Sequence, residues 1–304
     1  MKITISGASG LIGRRLLKTL SVEGHSLQVL SRHAGTNMPR DVKVWAWEPS
    51  SSLPPDESLR DADAVIHLAG EPVARRWSAE ARKRIWDSRV EGTRHLVQAL
   101  AKLEHGPSVL ISSSAVGYYG SRGDEVLTEE SSPGTGFSSE LCIAWEREAQ
   151  AAEALGVRVV RVRTGLVLDG RSGALARMLP PFRLGLGGPL GRGKHWMSWI
   201  HVEDLARMMV FALTAPVSGA MNGVAPGPVR NREFTKVLAG VLRRPAFFPV
   251  PPPVLRLAFG GMADVILASQ KVAPQVAENA GFEFRFPELQ PALADVLKYN
   301  KKDQ

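Results

Sequence analysis

Apolar residues recur along this chain with two alternating periods. Residues 2–6 form a short apolar run, and a 3.6-residue period takes over from about Gly10 to Glu23, with Leu11, Ile12, Leu16, Leu17 and Leu20 on one face. Residues 26–31 read as a second strand and 42–47 alternate as a third. Asp63 to Ala69 is a fourth, Val109 to Ser112 a fifth and Val157 to Arg163 a sixth. Between them lie a Pro- and Ser-rich loop at 49–58, a long helix from Ser78 to Leu103 capped by Ser78, and a helix over 137–155. Strands separated by helical crossovers predict an α/β fold on a doubly wound parallel sheet with right-handed connections.

Past residue 165 the pattern loosens. Gly185 to Gly193 is dense in glycine, Pro249 to Pro253 in proline, and short helices are expected over 231–243 and 288–297. The expected organisation is a main domain over 1–165, with 198–215 returning to it. A smaller C-terminal substrate lobe, from 166–197 and 216–304, folds over the open edge of the sheet. Residues 179–196, with their glycine hinges, are a candidate lid.

Composition narrows the function classes. Hydrophobic residues make up 44% and charged residues 22% of 304, the balance of a globular protein with a sizeable core. No apolar run reaches membrane-spanning length, since Val254 to Leu267 is cut by Arg256 and Asp264. Met1-Lys2 leads directly into a strand rather than a signal peptide, so a soluble, cytoplasmic protein without membrane partners is expected. Cys142 is the single cysteine, which excludes an internal disulfide, and no His/Asp/Glu set has ligand spacing, so no metal is expected. The net charge is +8, but the basic residues are scattered in short runs such as Arg82-Lys83-Arg84, Arg243-Arg244 and Lys301-Lys302, with no stacking-aromatic motif beside them. That charge suits an anionic small molecule better than a nucleic acid.

The sharpest motif is Gly7-Ala8-Ser9-Gly10-Leu11-Ile12-Gly13, which follows a strand and opens a helix. The first glycine permits a tight turn, the second lets backbone approach a diphosphate, and the third allows close helix packing. The amides of the helix start then face the phosphates. This is the dinucleotide-binding turn of a Rossmann-type domain, with Gly7, Ser9, Gly10, Leu11, Ile12 and Gly13 as cofactor-binding candidates. Where the second strand ends, an NAD-selective protein places an acid on the ribose 2′-hydroxyl. Here the segment reads Leu30-Ser31-Arg32-His33, without an acid. Ser31 and Arg32 can donate to a 2′-phosphate, so NADP is the expected cofactor, with NAD as the alternative. Arg163 and Gly165 end the sixth strand at the carboxyl edge of the sheet and are expected to line the nicotinamide side.

The glycine turn, His67-Leu68-Ala69-Gly70, Ser112-Ser113-Ser114-Ala115 followed by Tyr118-Tyr119-Gly120, and Trp199-Ile200-His201-Val202-Glu203-Asp204-Leu205-Ala206 resemble the extended short-chain dehydrogenases/reductases. Arg75-Arg76-Trp77, the Leu179-Pro180-Pro181-Phe182 run and the tail from Gly281-Phe282 are similar to one epimerase/dehydratase-like branch. Proteins of that branch end in a small domain of unknown function, about 250–298 here. The resemblance spans nearly the whole chain and implies that Leu68, Ala69 and Gly70 also contact the cofactor.

The wider family works with Asn, Ser, Tyr and Lys, the last two spaced Tyr-x-x-x-Lys, so that the lysine lowers the phenol pKa for proton exchange. This chain departs from that pattern. Its tyrosines are Tyr118, Tyr119 and Tyr299, none with lysine four residues later, and no lysine lies between Lys102 and Lys194. The helix that should carry the pair reads Phe137-Ser138-Ser139-Glu140-Leu141-Cys142, and Arg89-Val90-Glu91-Gly92-Thr93 stands where the family has Asn-Val-x-Gly-Thr. Ser113 or Ser114 occupies the serine position. Tyr118 or Tyr119, with Arg122 or Arg163 nearby, is a candidate proton donor; a packed tyrosine pair is the alternative. His201 is expected to start a helix, Glu129-Glu130 to be a solvated face or cap, and Trp77, Trp86, Trp145, Trp196 and Trp199 to be core, with Trp196 and Trp199 the two to watch. Three functions remain in play. The first is an NADP-dependent oxidoreductase of a small or nucleotide-linked substrate, the second an NADP-binding sensor or scaffold without turnover. The third, a sugar-nucleotide epimerase, is weakened by Arg32 and the missing tyrosine.

Overall fold

The computed structural model describes residues 1–32, 38–39 and 41–298; His33, Tyr299 and Lys301-Lys302 lie outside the described residues. Seven strands form the central sheet: β1 (Lys2–Ser6), β2 (Ser26–Ser31), β3 (Lys43–Ala46), β4 (Ala64–His67), β5 (Val109–Ala115), β6 (Arg158–Thr164) and β7 (Gly219–Gly223). Their order is β7-β6-β5-β4-β1-β2-β3, and every pairing is parallel. The chain runs outward from β1 through β2 to β3, then returns to β4 on the other side of β1. That reversal opens a crevice at the carboxyl ends of β1 and β4, where such sheets bind ligands.

The sheet is covered on both faces, which is why its inner strands lack polar alternation. On one side α1 (Leu11–Val22) and α5 (Val202–Thr214) bury Leu16, Leu20, Leu205 and Met209 against Ile3, Ile5 and Ile111. On the other, α2 (Ala79–Leu100) and α3 (Phe137–Gln150) bury Leu96, Leu100 and Ala149 against Val65, Leu110 and Val159. Ser78 caps α2 by accepting from the Ala81 amide at 3.2 Å.

A second core gathers α4 (Gly173–Arg183), α6 (Asn231–Leu242) and α8 (Leu289–Lys298) around Leu179, Phe182, Trp199, Phe234 and Leu293. Between α6 and α8 lies α7 (Pro252–Phe259). Two details differ from the sequence reading. Residues 219–223, expected in the lobe, supply the seventh strand of the main sheet. Trp199–His201 pairs with Leu166–Leu168 in a separate two-stranded ribbon, so it is α5 that returns to the main sheet.

Candidate functional site

The turn from β1 into α1 has the geometry its glycines predict. Gly7 has φ +71°, and a Cβ there would lie 2.7 Å from the Leu68 carbonyl group. A Cβ on Gly13 would lie 2.5 Å from Ala8 Cα and Gly7 O, so α1 packs directly on the turn. Gly10 caps α1 without a side-chain cap hydrogen bond, and the first turn holds no acid. The first amides of a helix have no intrahelical acceptor, so those from Leu11 onward are available to an anion. Ser9 O receives Arg14 Nη1 at 2.7 Å. These residues fit a dinucleotide diphosphate.

Arg32 lies exposed at the end of β2, next to half-buried Ser31. A groove of about 570 Å³ beside the turn is lined by Ser9, Arg14, Lys18, Met38, Pro39 and Asp41, among others. Arg14 and Lys18 escaped the sequence reading. Their one signal is a four-residue spacing on α1, which puts both on the face opposite its buried leucines.

Leu68, Ala69 and Gly70 follow β4 and flank the crevice. The Leu68 and Ala69 amides donate to Ser6 Oγ at 3.1 and 3.2 Å. Ser6 Oγ also lies 2.7 Å from His67 Nδ1, and His67 Nε2 lies 3.0 Å from Thr93 Oγ1. Since Ser6 Oγ accepts from two amides, its own hydrogen goes to Nδ1, and Nε2–H donates to Thr93. Burial, followed by the nearby Arg89 charge, holds the His67 imidazole down to about 4. The bed of the crevice is thus a neutral, fully bonded network.

At the end of β5 the structure separates the candidate catalytic residues. Ser114 is buried and donates to Glu146 Oε1 at 2.7 Å, whereas Ser113 is half-buried. Tyr119 is fully buried; its hydroxyl donates to Asn222 Oδ1 at 2.7 Å and accepts from Arg163 Nη1 at 2.9 Å. Burial pushes its phenol up to about 12. Tyr118 is half-buried, packs edge-on against Tyr119 at 5.3 Å between centroids, and lies 3.5 Å beneath the Arg163 guanidinium. The packed-pair alternative describes this arrangement.

Arg163 calls for a correction. Expected beside the nicotinamide, it is buried and grips Glu146 with Nε and Nη2 at 2.8 and 2.9 Å, while Nη1 also donates to Glu129 O. Its charge is matched internally, as a buried cation requires. Gly165 has a packing role, since a Cβ would lie 2.5 Å from Ser198 O. Arg122 pairs with Glu125 on the surface rather than joining the tyrosines. Glu129 is not a solvated face: its Oε1 accepts from the Asn222 and Val276 amides. Trp77, Trp145 and Trp199 are core, Trp196 lies between Arg230 and Lys271, and His201 caps α5. Among the described residues no three His, Cys, Asp or Glu side chains are grouped to hold a metal, and no helix is long and apolar enough to cross a membrane.

Where a Tyr-x-x-x-Lys pair would stand on α3, the chain has Ser138 and Cys142, both beside Gly117. Cys142 is buried, which with Glu146 nearby pushes its thiol up to about 12. From α2, Arg89 reaches this spot: Nη1 donates to Glu71 O at 2.9 Å, and Cζ lies 5.2 Å from the Trp145 ring centre.

A seven-stranded parallel sheet with a glycine turn at its switch point defines a nicotinamide-dinucleotide-binding protein of the short-chain dehydrogenase/reductase kind. Residues 3–224 match the NAD dependent epimerase/dehydratase family and 250–296 match a domain of unknown function; the chain belongs to that epimerase/dehydratase family. It is 39% identical over 310 residues to an Arabidopsis thaliana epimerase family protein, the chloroplastic SDR39U1 homolog, covering 98% of this chain and 87% of that one. It is 36% identical to the Bacillus subtilis epimerase family protein YfhF, covering 99% of each. The crystal structure of human epimerase family protein SDR39U1 (isoform2) with NADPH superposes with a TM-score of 0.86 at 34% identity, covering 98% of this chain and 99% of that one.

Proposed function

We propose that this chain is an NADP(H)-dependent oxidoreductase that reduces a carbonyl group on a small or nucleotide-linked molecule and draws the accompanying proton from water. The observation that carries the cofactor choice is the charge at the adenosine end. Arg32 follows β2, Arg14 and Lys18 line the adjoining groove, and the one acid lining it among the described residues, Asp41, belongs to the segment leading into β3. Guanidinium and ammonium groups favour a 2′-phosphate, and the strand end has no carboxylate to repel it. The relative crystallised with NADPH supports the same choice.

When bound, the cofactor supplies hydride. Around it, Gly7 to Gly13 hold the diphosphate through backbone amides, and Leu68 to Gly70 form the floor of the crevice. Ser113 and Tyr118 edge the carboxyl side of β5. With Tyr119 and Ser114 held in internal hydrogen bonds, neither is poised to exchange the proton, and a reaction that takes it from water forgoes a positioned acid worth ~10²–10⁴ in rate. That same locking favours a second reading, a cofactor-binding protein without turnover.

Fluorescence titration with NADPH and NADH, on the wild type and on Arg32→Glu, tests the cofactor choice. NADPH should bind more tightly to the wild type, and the preference should fall at least about tenfold in the variant, the worth of one charge-assisted hydrogen bond. An unchanged ratio would overturn the assignment. Turnover of NADPH with a carbonyl library, abolished by Gly10→Asp, separates the two readings; tight binding without turnover selects the second.

A further inference from the structure

We infer that Arg89 is a fixed cation beneath the nicotinamide half of the dinucleotide site, and that through it the protein holds NADPH more tightly than NADP⁺. The inference rests on the cofactor reading above and adds what the other end of the site does. With the diphosphate at the start of α1 and the adenosine toward β2, the second half of a dinucleotide crosses the carboxyl ends of β4 and β5. Gly70 is the third residue past β4. A Cβ on Gly70 would lie 2.9 Å from Arg89 Cζ and 3.1 Å from both Nη atoms, so the missing side chain is the space the guanidinium fills.

Arg89 is anchored on one side and open on the other. Nη1 donates to Glu71 O at 2.9 Å and reaches Ile85 O and Ser88 Oγ at 3.4 and 3.5 Å. Nη2 and Nε make no hydrogen bond to any described residue, and Arg89 is half-buried rather than sealed. The acid beside it, Glu71, is shared with Arg75, so it offsets the Arg89 charge only in part. Burial lowers its guanidinium to about 10, which leaves it protonated at neutral pH. A group that keeps its proton cannot act as the acid; it acts by charge and hydrogen bonding.

The nicotinamide ring is neutral when reduced and carries a positive charge when oxidised. A fixed cation close to the ring, in a partly desolvated crevice, therefore repels the oxidised form selectively. The ratio of the two dissociation constants also sets the potential of the bound couple. For two electrons a tenfold ratio corresponds to about 30 mV.

The test compares NADPH, NADP⁺ and 2′-phospho-ADP-ribose, which lacks the nicotinamide and its ribose, by calorimetric titration. The wild type should prefer NADPH over NADP⁺. Arg89→Met should lower that preference about tenfold, Arg89→Lys should retain most of it, and 2′-phospho-ADP-ribose should bind all three proteins alike. Gly70→Ala, which displaces the guanidinium while leaving its charge in the chain, should move the ratio in the same direction and serves if Arg89→Met does not fold. An unchanged ratio in a folded Arg89→Met or Gly70→Ala protein that still binds 2′-phospho-ADP-ribose would overturn the inference. Failure of the wild type to bind 2′-phospho-ADP-ribose would instead overturn the cofactor reading.

Discussion

His67 links the stability of the crevice to pH through a single proton. In the folded protein its imidazole is held down to about 4, against an ordinary value of 6.5, by burial first and Arg89 second. The unfolded chain therefore takes up a proton as pH falls through 6.5, and the folded protein resists until about 4. The stabilising contribution is complete above about pH 6.5 and is lost as pH drops toward 4, amounting to roughly 3 kcal/mol across that window. Urea denaturation of the wild type between pH 7.5 and 4.5 should show this decline, and His67→Gln should flatten it. Parallel curves for the two proteins would mean that His67 titrates normally. The sequence places His67 in a motif but does not reveal its partners, because Ser6 and Thr93 lie 61 and 26 residues away in the chain. Tyr119 is similar: its presence was legible, while Asn222, 103 residues on, decides that its hydroxyl is structural.

Among the elements, those with strong local patterns were the legible ones. The apolar stripe of α1, the Ser78 cap of α2 and the glycine turn each encode their conformation within a few residues. Strand β7 reads Gly-Ala-Met-Asn-Gly, which has almost no intrinsic strand preference, and it is extended because β6 offers a parallel edge. The boundary drawn at residue 216 failed there for that reason. The turn from β1 into α1 is where element geometry meets function. Gly13→Ala would put a Cβ 2.5 Å from Ala8 Cα, and α1 would have to retreat from the diphosphate turn. NADPH affinity should fall about tenfold or more, with a loss of roughly 1–3 kcal/mol in stability. Gly240→Ala makes the matched control. It lies exposed in α6 with nothing near its Cβ, and alanine there should stabilise by roughly 0.5–1 kcal/mol without touching cofactor affinity. Equal cofactor affinity in Gly13→Ala and the wild type would show that the turn does not need close packing of α1.

At the scale of the whole molecule, the C-terminal segment is stitched into the main domain by buried polar groups. Asp204, fully buried in the first turn of α5, accepts from the Arg285 and Phe286 amides at 2.9 and 2.8 Å. Gln270 Nε2 donates to Val116 O and Gly120 O, bracing the loop that follows β5. Val272 seals the cluster that contains Tyr119 and Leu127. On the other flank, Arg76 Nη1 donates to Leu257 O, and Arg177 of α4 donates to Ala74 O, so the segment after Gly70 is held by the lobe from two directions. Ending the chain after Phe248 would strip the Asp204 carboxylate of its two backbone donors and leave it Arg207 alone, whose Nη1 donates to Oδ1 at 3.1 Å. It would also uncover the apolar cluster around Tyr119. The intact protein should therefore unfold in one transition by calorimetry, and the shortened chain should show no cooperative transition at all. A shortened chain that melts cooperatively and binds NADPH as the wild type does would make the tail an appendage. The two-sided grip on residues 70–77 argues the opposite, that the crevice keeps its shape only while the lobe is in place.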